Sequence, residues 1–111
     1  MKKVIYKKVI NENKENRTEF LLINFDYEDG NDYLAKIFNK EFNMKVVEKK
    51  DYIWFSIIKL CKKNTCYELL WHEDIGNIIY SLEQDEDTVN ELELRLQKVL
   101  DVLNIKILES N

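Results

Sequence analysis

The chain of 111 residues contains no proline, two glycines, two cysteines and one histidine. Each shortage closes a class of answer. Collagen-like, mucin-like and low-complexity disordered chains need the proline and glycine that are missing. Gly30 and Gly76 are too few for a phosphate cradle of the P-loop or dinucleotide type, where several glycines let the backbone approach the ligand. Cys61 and Cys66 flank Lys62-Lys63-Asn64-Thr65, the wrong count and spacing for a zinc shell without further Cys or a His cluster. In a hairpin these two cysteines would face each other across the strands, close enough for a disulfide under oxidation; without an export signal they are expected to stay as two thiols. No apolar run nears the roughly 18 residues of a membrane span. Residues 1–6 lead into Lys7-Lys8 rather than into a signal-peptide core. A soluble, cytoplasmic protein with no membrane partner is expected.

What the chain does have is apolar residues, at 45% of its composition, enough for one small domain spanning residues 1–111 with a core of its own. It also has a lopsided charge. Residues 1–63 hold 14 of the 17 basic residues but 10 of the 21 acidic ones, which leaves 3 basic and 11 acidic in the last 48. Either the two halves attract each other within the fold, or the C-terminal part faces a basic partner. The acidic balance also argues against nucleic-acid binding through Lys2, Lys3, Lys7, Lys8, Lys62 and Lys63.

Periodicity supplies the elements. Residues 2–10, rich in Val, Ile and Tyr, read as an opening strand, and Phe20 to Phe25 as a central one after a polar loop. Leu34, Ile37, Phe38 and Phe42 recur at helical spacing and predict a helix over 31–43, capped by Asp29, Asn31 or Asp32. From Lys45 the period changes to two, giving strands near 45–49, 52–61, 66–73 and 77–83 with turns at Lys49-Lys50-Asp51, Lys62 to Thr65 and Asp74 to Asn77. Asp85, Asp87 or Thr88 then caps a second helix with the stripe Val89, Leu92, Leu96, Val99 and Leu103. Asn104 reads as its stop, and residues 105–108 as a last short strand. The expected class is α+β, an antiparallel sheet of about five to six strands with two helices in the order β-β-α-β-β-β-β-α.

The second sheet face is mixed rather than polar. With one helix on each side it is ordinary core; with both helices on one side it exposes patches that mark a protein interface. Alternate turns of a meander lie at the same end, so Glu73-Asp74 and Asp85-Glu86-Asp87 form two acidic spots separated by roughly 17–20 Å of strand. His72 is the only histidine, and a catalytic pairing with Glu73 needs a pocket that the sequence does not display. A metal is equally unsupported, since two adjacent carboxylates do not make a calcium loop. No cofactor is expected, and binding rather than turnover is left.

The stretch Tyr67-Glu68-Leu69-Leu70-Trp71-His72-Glu73-Asp74-Ile75-Gly76-Asn77-Ile78-Ile79-Tyr80-Ser81-Leu82, followed by an acidic helix start, resembles small immunity proteins of bacterial toxin systems, including contact-dependent growth inhibition. The resemblance covers about the last 45 residues and rests on Trp71, His72, Glu73, Asp74 and the Gly76-Asn77 turn. It implies a non-enzymatic cytoplasmic inhibitor that occludes a cognate toxin, often a nuclease, whose surface is basic. His72, Glu73, Asp74, Asp85, Glu86 and Asp87 are the expected partner contacts. The alternatives are a homodimeric adaptor that closes on its second sheet face and a small enzyme using His72 and Glu73.

Overall fold

A computed structural model of the protein describes residues 2–109. Its strands are β1 (Ile5–Asn11), β2 (Arg17–Ile23), β3 (Lys45–Asp51), β4 (Phe55–Lys62), β5 (Thr65–His72) and β6 (Gly76–Ser81). Helix α1 (Gly30–Phe42) follows β2, and α2 (Glu86–Glu109) follows β6. All pairings are antiparallel, in one sheet of order β1-β2-β6-β5-β4-β3. The α+β class and the element order are those expected. The four strands after α1 form a meander whose last member inserts beside β2.

Both helices cover the same face. Phe20, Ile79, Leu69 and Ile58 stand in one transverse row of the register, and all four belong to a core shared with Leu34, Ile37 and Phe38 of α1 and Val89, Leu92, Leu96 and Val99 of α2. The neighbouring row, Leu21, Ile78, Leu70 and Ile57, has the opposite parity, points away from the helices and ends in Lys7 on β1 and Lys50 on β3. Of the two arrangements that the sequence allowed, the two-layer one forms.

Helix α1 begins one residue before the expected start. Asp29 stands at its N-cap position without a side-chain cap bond, Asn31 is buried, and Asp32 pairs with Lys49 at 2.8 Å. At its other end Asn43 adopts φ 56°, a left-handed conformation that asparagine tolerates, and donates to Asn39 at 2.9 Å.

Helix α2 corrects the reading of the C-terminus. Asn104 does not stop the helix, and residues 105–108 continue it instead of forming a strand. The side chain explains this: Asn104 Oδ1 accepts from Val4 N at 2.8 Å and Nδ2 donates to Val4 O at 3.0 Å. A residue that favours helix ends because it competes for nearby backbone is here occupied by distant backbone, which ties the start of the chain to α2. Among the described residues no helix is long and apolar enough to cross a membrane.

The cysteines also depart from expectation. Cys61 and Cys66 are register partners across the β4–β5 hairpin with Cα atoms 4.2 Å apart, and they form a disulfide. The expectation of two thiols rested on compartment alone; the pairing rests on register. Iodoacetamide is therefore expected to label neither cysteine of the folded protein until a reductant is added, which intact-mass measurement reads directly.

At the sheet margin, every residue of β3 is exposed, and its register with β4 shifts between Val46 and Glu48.

Candidate partner-binding surface

The β3–β4 connection lies three residues beyond the expected Lys49-Lys50-Asp51. Lys49, Lys50 and Asp51 pair with Ile58, Ile57 and Ser56, and the chain turns through Tyr52-Ile53-Trp54. Tyr52 N donates to Phe55 O at 2.8 Å to close the turn, and the Tyr52 ring stacks on Phe55 with centroids 4.5 Å apart. Glu73 N donates to Trp54 O at 2.9 Å, so this turn is fastened to the β5–β6 turn beside it. Ile53 is 83% exposed and Trp54 61%, with Ile75 of the neighbouring turn at 54%. Apolar side chains this bare at one end of a sheet gain nothing for the fold.

Around them the charge has one sign. Asp51, the last residue of β3, is exposed beside the first turn and Glu73 and Asp74 are exposed in the second, and the Glu73 and Asp74 carboxylates hold no hydrogen bond or ion pair among the described residues. The nearby lysines are already engaged, Lys49 with Asp32 at 2.8 Å and Lys50 with Glu48 at 3.3 Å. The β2–α1 connection adds Asp26, whose Oδ1 accepts from Trp71 Nε1 at 3.2 Å and whose carboxyl lies beside Gly76. Gly76 has φ +104°, a conformation side chains resist, which lets the turn fold back beneath that carboxylate. Asn77, fully buried, accepts from Tyr27 N at 3.1 Å and donates to Asn31 Oδ1 at 3.0 Å, fixing the connection against β6.

His72 is half-buried, in register with Phe55 and Gly76, and its Nδ1 accepts from Asp74 N at 3.1 Å. It therefore shapes the turn that presents Glu73 and Asp74. The other three expected contacts lie at the opposite end of β6, one six-residue strand away, so the structure brings His72, Glu73 and Asp74 together but not with Asp85, Glu86 or Asp87. Glu86 and Asp87 are exposed in the first turn of α2, where a helix N-terminus favours negative charge.

Asp85 has an internal task. Its Oδ2 accepts from Thr88 Oγ1 at 2.9 Å and from Thr88 N at 3.1 Å, which caps α2 and holds the carboxyl below its ordinary pKa. A carboxylate whose folded pKa is depressed lends stability above its unfolded pKa of about 3.9, and that stability is lost as pH falls through the folded value. Asp85→Ala is expected to lower the neutral-pH Tm by roughly 5 °C. The gap from the parent should close in thermal melts taken progressively below pH 4 or so.

No family model, no curated protein and no solved structure matches the chain.

The open sheet face is the competing surface, and its own side chains largely roof it. Ile78 is 6% exposed and Tyr80 3%, although no helix lies over them. The Arg17 guanidinium sits 3.5 Å from the Tyr80 ring centroid and pairs with Glu19 at 2.7 Å, while the Tyr80 hydroxyl donates to Glu68 at 2.6 Å. Burial first, then the Glu68 carboxylate, pushes the Tyr80 phenol far above its ordinary pKa, so this contact is kept in its neutral form. Ile53 is the most exposed of the large apolar side chains, and with Trp54 it forms a tip that the sequence reading had placed inside a strand.

Proposed function

We propose that this protein is an immunity-type inhibitor, which binds a cognate toxin domain stoichiometrically and occludes its active or substrate-binding surface. The observation that carries the reading is the bare Tyr52-Ile53-Trp54 turn fastened to a turn bearing two unpaired carboxylates. Aromatic and aliphatic anchors within a charged rim are the make-up of protein interfaces, and Trp and Tyr are over-represented among the residues that dominate binding. A net charge of −4 favours a basic partner, such as a toxin that holds nucleic acid on cationic groups. The resemblance of residues 67–82 to immunity proteins supports the same reading.

The test is co-expression with the product of the neighbouring upstream reading frame, which is first expressed alone to establish whether it arrests growth. A one-to-one complex and protection from growth arrest are expected; a protein that neither binds nor protects overturns the reading. Within that complex, the double reversal Glu73→Lys with Asp74→Lys is expected to slow association by about tenfold at low salt, and by less as the Debye length shrinks. Stopped-flow association rates across a salt series measure both effects.

The apolar row Leu21, Ile78, Leu70 and Ile57 favours a second reading, a homodimeric adaptor closing on the open sheet face. Sedimentation of the isolated protein separates the two: a tight dimer accounts for that row without a toxin.

A further inference from the structure

We infer that partner contact is confined to the Ile53–Trp54 end of the sheet, and that the partner is a protein presenting an apolar pocket ringed by arginine or lysine. The inference rests on the inhibitor reading for the partner's identity, but the surface and its chemistry are argued independently.

A side chain 83% exposed stands clear of its own protein, so Ile53, with Trp54 beside it, is a knob and the occupant must supply the hole. The flanking carboxylates decide what surrounds that hole. Asp51 ends β3 beside one turn and Glu73 and Asp74 lie in the other, and the adjacent Lys49 and Lys50 pair with Asp32 and Glu48. A second copy of this chain, docking by the same patch, would bring two predominantly acidic patches together, and an isologous contact needs a patch complementary to itself. An anionic bilayer and a nucleic-acid backbone meet the same repulsion. A cationic protein gains from every one of these charges and can also take in the apolar pair. Tyr52, stacked on Phe55, stiffens the turn, so less freedom is lost when the knob is gripped. The acidic start of α2 cannot share this contact in a small interface, because β6 runs between them and Asp85 is spent on its cap.

Two probes test this on the full-length protein. The first is an unbiased displayed peptide library panned on the immobilised chain; the second is the product of the upstream reading frame, taken as the candidate toxin domain. Enriched peptides are expected to carry Arg or Lys around an aliphatic or aromatic residue. Trp54→Ala, and separately Glu73→Lys with Asp74→Lys, should each weaken their binding by at least about tenfold. Leu94→Ala, at an exposed apolar position on α2, should not change it. Circular dichroism of each variant confirms that these surface changes leave the fold intact. The same losses are expected with the toxin domain. Acidic peptides, no enrichment, or binding that survives Trp54→Ala overturns the surface. A toxin complex more sensitive to Glu86→Lys with Asp87→Lys than to Trp54→Ala overturns the surface and leaves the inhibitor reading standing. Peptides that depend on Trp54 beside a toxin domain that never binds uphold the surface and overturn the inhibitor reading.

Discussion

Asn104→Ala is expected to destabilise the protein by about 2–5 kcal/mol in urea unfolding at neutral pH, more than its small volume would suggest. Asn104 is 8% exposed and Val4 1%, and the amide satisfies both the N–H and the C=O of Val4. Truncation leaves a buried donor and a buried acceptor unpaired, each costing roughly 1–3 kcal/mol. Asn104→Asp refines the test. Its carboxylate still accepts from Val4 N but opposes Val4 O, whereas a protonated carboxyl can donate there. Burial beside a carbonyl raises the folded pKa of that Asp above its unfolded value. The protonated form is then the better fit, and the stability of Asn104→Asp should fall as pH rises through the acidic range. A variant as stable as the parent at neutral pH would mean that the chain start does not need α2.

Phe38→Ala is the second large effect, at about 3–5 kcal/mol. Phe38 is fully buried in α1, with its ring centroid 6.0 Å from Tyr67 and 6.5 Å from Phe42. It fills the helix–sheet layer between α1 and β5, where close-packed neighbours cannot collapse together to close the hole. The contrast with Ile53→Ala makes the prediction specific. Ile53 is as apolar, but its truncation should change stability by no more than about 0.5 kcal/mol in the same denaturant titration. One chain thus carries two populations of large apolar residues, one that builds the fold and one that does not.

That division explains what the sequence could and could not disclose. The helices were legible because Leu34, Ile37 and Phe38, and then Val89, Leu92 and Leu96, repeat with the helical period, and each lies in the core. The meander was legible because its period is two. Tyr52-Ile53-Trp54 was not, because it runs without a polar break into Phe55 and the strand beyond, so a turn built from apolar residues read as more strand. The polar Lys49-Lys50-Asp51 looked like the turn and proved to be paired. Failure of alternation at positions 52–55 was the one local signal available. Asn104 misled for a different reason: its partner lies 100 residues away, beyond any local pattern. Glu73 and Asp74 were legible as acidic turn residues, whereas the anchors beside them needed the register of β3 against β4.

The two outermost strands leave their free backbone groups open to solvent, one guarded by Lys7 and Lys8, the other by Lys45, Lys49 and Lys50 across the shifted pairing at Val46 and Glu48. A copy of the chain that tried to lengthen the sheet at β3 would meet a row of charged side chains over a ladder out of step. Crowding this protein should therefore yield a clear solution rather than ribbons.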